Sequence, residues 1–271
     1  MSHALASLIN SYCCEENENE NFGACEEALG IFHLIHITHE TAKSLTKTAF
    51  IRSMALILQK GTTEARLHAT ILMQKVSVWI SDWEFVARER IDIFQGLLEL
   101  MTGEICHQAT VATLIVLIAI CKKSRKNRLL AIEAGAVFSL IELLPDAEKP
   151  KCERILDLLV MLVDYAEGRA AMADHAMGIA VVSKKIIRVS ETATKKAVQI
   201  LWSLCTYSSN AFILREMLQC GALSKLCMLQ QLDCTNKTKQ KAKEVLKLHA
   251  NTLRASACLP HLMKSDYPNY I

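Results

Sequence analysis

Apolar residues recur along this chain at intervals of three and four, the spacing of one helix face, with polar residues between them. The clearest stretch is Asn127 to Leu144, NRLLAIEAGAVFSLIELL, where Val137, Leu140, Ile141 and Leu144 mark the buried face of a helix. A shorter helix precedes it, and Gly135 stands between the two, just past Ala131, Ile132 and Ala134. Glycine at that point predicts a helix end in the left-handed conformation and a sharp turn into the next helix. The same order returns in Glu216 to Leu229, EMLQCGALSKLCML, with Gly221 in place of Gly135 and Leu223, Leu226 and Leu229 on the apolar face.

A hinge that recurs with its flanking helices points to a repeat array. One apolar anchor per long helix, Phe32, Met73, Leu117, Leu162, Leu204 and Leu248, gives spacings of 41, 44, 45, 42 and 44 residues. These fall in the range of roughly 40–47 residues expected of HEAT and armadillo units, and the order long, short, middle helix favours armadillo. The expected fold is therefore all-α, an armadillo-repeat right-handed superhelical solenoid. Long helices are predicted near 24–37, 63–79, 104–121, 151–165, 192–206 and 238–252, with shorter pairs near 39–60, 82–101, 125–144, 168–189 and 210–232. Residues 2–10, SHALASLIN, suit the tail of a middle helix whose short partner is missing. The expected organisation is a truncated first repeat and acidic loop over 1–23, armadillo repeats over 24–252 and a C-terminal tail over 253–271.

Composition supports a helical core and narrows the chemistry. Hydrophobic residues make up 51% of the chain, with 9 Gly and 4 Pro, which suits packed helices of Leu, Ile, Val and Ala. A net charge of +3 gives no bulk argument for a nucleic-acid partner. Eleven cysteines contain no CxxC pair, and Cys121, Cys205 and Cys227 sit on apolar faces, so reduced, packed thiols in the cytoplasm or nucleus are expected. The longest uncharged run, Gln108 to Cys121, is too short to span a bilayer, which takes about 20 residues. The run Cys13 to Asn21, CCEENENEN, reads as a solvated acidic loop, with an acidic docking site as the sharper alternative.

Candidate chemistry is sparse. His33, His36 and His39 lie three apart, near one helix face, but lack a fourth ligand, so no metal is expected. Cys220, Cys227 and Cys234, seven apart, have the spacing of a packed seam. GxSxG, GxGxxG, P-loop and HExxH motifs are absent, and Asp164 with Glu167 reads as a helix end before Gly168, so neither a catalytic residue nor a cofactor is expected. Basic residues gather at Lys122, Lys123, Arg125, Lys126 and Arg128, at Lys184, Lys185, Arg188, Lys195 and Lys196, and at Lys237, Lys239, Lys241, Lys243 and Lys247. Most should be solvated faces; along a solenoid they can also form a stripe that steers an acidic protein segment.

Several blocks carry a family resemblance. AIEAGA at Ala131 to Ala136 resembles the hinges of plant U-box E3 ubiquitin ligases of the armadillo class. Ala166 to Ser190, Thr235 to Ala250 and the ending CLPHLMKSDYP are closer still, and weaker similarity runs back through Gln59 to Ala69 to about Ala28. The resemblance implies the substrate-holding part of such a ligase, with protein substrates as partners and a role in plant stress and defence signalling. A ubiquitin-conjugating enzyme would be engaged only through a U-box, which no stretch of this sequence resembles. The alternative is a non-catalytic armadillo adaptor or truncated product that binds the same partners or a second copy of the chain. One departure is local: relatives tend to place glycine after the histidine of the AEGRA unit, where this chain has Ala176 after His175, so its hinge is expected to shift to Gly178.

A second departure concerns the groove. Armadillo proteins of the importin type repeat a tryptophan and, four residues on, an asparagine along their long helices. In this chain the tryptophan slots hold Gly30, Ile71, Ile115, Val160, Trp202 and Leu246, and the asparagine slots Leu34, Lys75, Ala119, Asp164, Thr206 and Ala250. That ladder is absent. With Leu204 facing inward, Trp202 and Thr206 should lie on the opposite face, with Lys195 and Gln199 one to two turns back. Lys75, Asp164, Lys195, Gln199, Trp202 and Thr206 are therefore the candidate partner-binding residues. Packing of Trp202 against the neighbouring long helix is the competing reading.

Overall fold

The computed structural model describes residues 2–11, 22–103, 106–208 and 211–250. The acidic run over 13–21 and the tail over 253–271, both singled out by the sequence, lie outside these residues. Every regular element among the described residues is a helix, and none is long and apolar enough to cross a membrane. The chain divides into two compact units, 1–136 and 137–271.

The first unit contains α1 (Ser2–Ser11), α2 (Phe22–Leu34), α3 (His39–Leu45), α4 (Thr48–Lys60), α5 (Thr63–Val76), α6 (Glu84–Arg88), α7 (Phe94–Thr102), α8 (His107–Lys122) and α9 (Arg125–Glu133). Its long helices α2, α5 and α8 pack in sequence order, α5 touching both neighbours. Phe32, Met73 and Leu117 have no exposed surface. α1 packs on α2, α3 and α4, and the Ile9 carbonyl accepts a hydrogen bond from the buried Ser53 hydroxyl at 2.6 Å.

The second unit contains α10 (Ala136–Leu143), α11 (Lys149–Val163), α12 (Ala166–Asp174), α13 (Gly178–Lys184), α14 (Glu191–Tyr207), α15 (Ala211–Gln219), α16 (Ala222–Gln231) and α17 (Asn236–Leu248). Here α11, α14 and α17 are the long helices, with α14 in the middle. Leu162 and Leu204 are fully buried, whereas the anchor chosen on α17, Leu248, is 56% exposed. The buried position there is His249, one residue on. An apolar anchor search favours leucine over histidine, and the helix termini correct it.

The long helices with defined N-caps start after Thr62, Cys106, Glu148, Ser190 and Thr235, spacings of 44, 42, 42 and 45 residues. Counted from those caps, Met73 and Leu117 lie eleven residues in, but Leu162 and Leu204 lie fourteen in. The anchors therefore slipped one turn, between two positions that are both buried. Three caps are made by side chains: Thr62 Oγ1, Cys106 Sγ and Ser190 Oγ accept from the amides of Ala65, Ala109 and Ala193.

Both hinge glycines are left-handed, Gly135 at φ +88° and Gly221 at φ +70°. The third hinge departs from expectation. Ala176 is not left-handed and Gly178 opens α13 inside the core; a Cβ on Gly178 would lie 2.4 Å from the Met172 carbonyl oxygen. This glycine serves close approach, not a left-handed turn.

Candidate partner-binding groove

α14 buries Ala193, Ala197, Ile200, Leu201 and Leu204, and the residues beside that face turn toward its neighbours. With α11 and α17 it borders a groove of about 850 Å³. α14 supplies Thr192, Lys195, Lys196, Gln199 and Trp202, and α17 supplies Asn236, Lys237, Thr238, Gln240, Lys241 and Glu244. Asp157 and Val160 come from α11. A single register governs the lining: positions two, five, six and nine after the N-cap are Thr192, Lys195, Lys196 and Gln199 on α14, and Lys237, Gln240, Lys241 and Glu244 on α17. The same positions on α8 are Gln108, Val111, Ala112 and Ile115, and on α5 Glu64, Leu67, His68 and Ile71, so neither carries a lysine there.

Trp202 is the centre of a ladder that joins three helices. Its Nε1 donates to Glu244 Oε2 at 2.6 Å, and the Lys241 ammonium stands 4.9 Å from its ring centroid. Tyr207 meets the indole edge-on at 5.6 Å, and the Arg169 guanidinium lies 5.2 Å from the Tyr207 centroid. Each cation–ring contact contributes about 0.5–1 kcal/mol where partly exposed. Arg169 is itself fixed, because its Nη1 donates to the carbonyls of Val163 and Asp164, and its Nε to Ser208 Oγ.

The groove's electrostatics follow from these contacts. Partial burial is the largest cause holding the Lys241 ammonium below its ordinary pKa; Glu244 and Asp164 oppose the shift, while Lys195 and Lys237 add to it. Lys196 pairs with Asp157 at 2.8 Å and also donates to the Glu153 carbonyl at 3.0 Å. Glu244 accepts from Gln240 Nε2 at 3.0 Å as well as from Trp202.

Of the residues singled out by sequence, Lys195, Gln199 and Trp202 lie together on this groove. Trp202 also packs against α17, so groove position and neighbour packing are not alternatives. Thr206 is exposed one turn further, outside the lining, and Asp164 caps α11 within electrostatic reach of Lys241. Lys75 lies in the other unit, donating to the carbonyls of His33 at 2.9 Å and Phe32 at 3.4 Å, where it caps α2. Gln240 and Glu244 are not among the candidates the sequence offers, and Lys241 belongs to a cluster expected to be mostly solvated or to form part of a basic stripe. The one-residue error on α17 hid them, and the Ser190 and Thr235 cap positions carry the signal that recovers them.

Besides Lys241, other basic residues of the three clusters are engaged. Arg128 donates to the carbonyls of Cys121 and Lys122, Lys185 is buried and donates to the Pro145 carbonyl, and Lys196 is paired as above. His33 meets His68 in a tilted ring contact with centroids 4.8 Å apart. Among the described residues no cluster of three His, Cys, Asp or Glu could hold a metal. Of the three seam cysteines, Cys227 is buried, while Cys220 and Cys234 are half-buried.

Comparison with known proteins gives the family and the fold. The profile of the plant U-box protein ARM repeat region matches residues 2–269. The chain is 35% identical to E3 ubiquitin-protein ligase PUB22 of Arabidopsis thaliana over 98% of its length and 36% identical to E3 ubiquitin-protein ligase PUB23 of the same plant over 97%. It spans 64% of the length of each. A designed armadillo repeat protein in complex with the peptide (KR)4 superposes with a TM-score of 0.63 at 15% identity, covering 90% of this chain and 98% of that one. At that identity the likeness shows the fold, which is the armadillo fold.

Proposed function

The chain belongs to the armadillo-repeat family of plant U-box proteins, and from that premise we propose that it is the substrate-recognition module of a U-box-type E3 ubiquitin ligase. The observation that carries this reading is the groove on α11, α14 and α17, where an aromatic side chain sits among lysines and side-chain amides. Solenoid modules bind on such extended surfaces, and aromatic and basic residues dominate interface energetics. The designed armadillo protein with its bound peptide supports peptide carriage by this fold.

Ubiquitin transfer would be the work of a U-box that engages the conjugating enzyme. The resemblance supports a setting in plant stress and defence signalling, and the packed thiols support one in the cytoplasm or nucleus. A non-catalytic adaptor would use the same groove, and a transfer assay on this chain separates both readings from a hidden ligase.

The binding reading is tested by placing a photo-crosslinking amino acid at Gln199 or Thr192, which line the groove, and at Arg215, which is exposed on α15 outside it. In plant extract, the groove positions are expected to capture a common protein that Arg215 does not. Capture of that protein from Arg215 alone would move the binding surface elsewhere.

A further inference from the structure

Resting on that groove reading, we infer that the segment held between α14 and α17 is an acidic, extended peptide whose carboxylates are taken by Lys195, Lys237 and Lys241. A census of charge carries the inference. Four lysines and two carboxylates border the groove. Both carboxylates are engaged, Asp157 by Lys196 at 2.8 Å and Glu244 by Trp202 Nε1 and Gln240 Nε2 at 2.6 and 3.0 Å. Lys196 is engaged in turn. Lys195 and Lys237 are exposed and make no ion pair among the described residues, and Lys241 stands over the indole ring. A groove lined by four lysines and two carboxylates has an excess of positive charge, which attracts negative charge and raises the encounter rate of acidic segments.

The remaining groups favour a polypeptide over a nucleic acid. Single-stranded nucleic acids need aromatic faces on which bases stack. Here Lys241 lies over the indole and Tyr207 meets its edge, so Trp202 is a clamped wall more than a stacking platform. Gln199 and Asn236 offer amides that match the N–H and C=O groups of an extended backbone.

The test uses the whole 271-residue chain. Displayed random peptides of roughly twelve residues, at about 3.3 Å per residue long enough to cross neighbouring helices, are selected on the wild-type protein. Enriched peptides are then measured by fluorescence anisotropy against Gln199→Trp, which fills the groove without changing its charge, and against a Lys195→Glu/Lys237→Glu double variant. Both lysines are exposed, and unchanged helical circular dichroism and melting would confirm folding of each variant.

The expected result is Asp- and Glu-rich peptides that lose binding in Gln199→Trp and weaken at least about tenfold in the double variant, with strong salt dependence. Neutral or basic peptides that need an open groove but ignore the double variant would overturn the acidic class and leave the groove reading standing. Absence of any peptide sensitive to Gln199→Trp would overturn both. A single-stranded oligonucleotide that outcompetes the acidic peptides would overturn the polypeptide class.

Discussion

Leu204 has no exposed surface, and close-packed surroundings relax only partly into the space a truncated side chain leaves. Leu204→Ala is expected to cost about 2–5 kcal/mol, and Leu162→Ala a similar amount, by urea denaturation. A loss under about 1 kcal/mol at either would contradict their placement in the core. Asn127 makes a different kind of contribution. It is fully buried and its Nδ2 donates to the carbonyls of Trp83 at 2.8 Å and Ile120 at 3.1 Å. Asn127→Leu strands both acceptors and should cost about 1–3 kcal/mol in the same assay. His249 links the fold to pH. Burial holds its pKa below the ordinary value, so the unfolded chain takes up the proton more readily than the folded one. Its stabilising effect is complete above the unfolded pKa of about 6.5 and is lost as pH falls below it. His68 acts in the same direction, through burial first and then the neighbouring His33. The urea midpoint should therefore fall between about pH 7.5 and about pH 5.5, and fall less in His249→Leu. These three residues show how far sequence alone reaches. Leu204 is legible because a leucine on an apolar face has one use, whereas Asn127 and His249 are polar residues whose burial depends on partners no periodicity reveals.

Helix ends make the second scale, and there the glycines separate by mechanism. Gly221→Ala imposes a left-handed conformation on a residue with Cβ, while nothing lies within 4 Å of the added atom, so its cost should stay near 1 kcal/mol. Gly178→Ala instead drives a methyl toward the Met172 carbonyl and should cost about 1–3 kcal/mol through overpacking. Melting curves of the two variants compare them; equal shifts would mean that Met172 yields freely. At the other ends of the helices, cations recur as caps: Lys75 on α2, Arg128 on α8 and Arg169 on α11. The helices themselves were legible because their apolar period runs unbroken, and the expected boundaries differ from the observed ones by a few residues. The caps were not, since a basic residue looks the same in sequence whether it meets solvent or the carbonyls at a helix end.

On the scale of the molecule, the armadillo helices carry the groove proposed to hold a partner, and no stretch of this sequence resembles a U-box. The purified 271-residue chain is expected to build no ubiquitin chains with activating enzyme, conjugating enzyme, ubiquitin and ATP. A ladder on an anti-ubiquitin blot would contradict this. The groove was half legible: the α14 residues followed from Trp202, while the α17 residues required the cap register that an exposed Leu248 had obscured. The ladder through Trp202 has a further use. Of the three tryptophans, Trp79 and Trp83 belong to the first unit, so Trp202 is the sole indole of the second. A Trp79→Phe/Trp83→Phe chain would emit from this position alone, with an ammonium over the ring and a carboxylate on its nitrogen. Drawing Lys241 away toward an arriving anion alters the field on the excited indole, so occupancy of the groove can be followed as a change in intrinsic fluorescence, without a label.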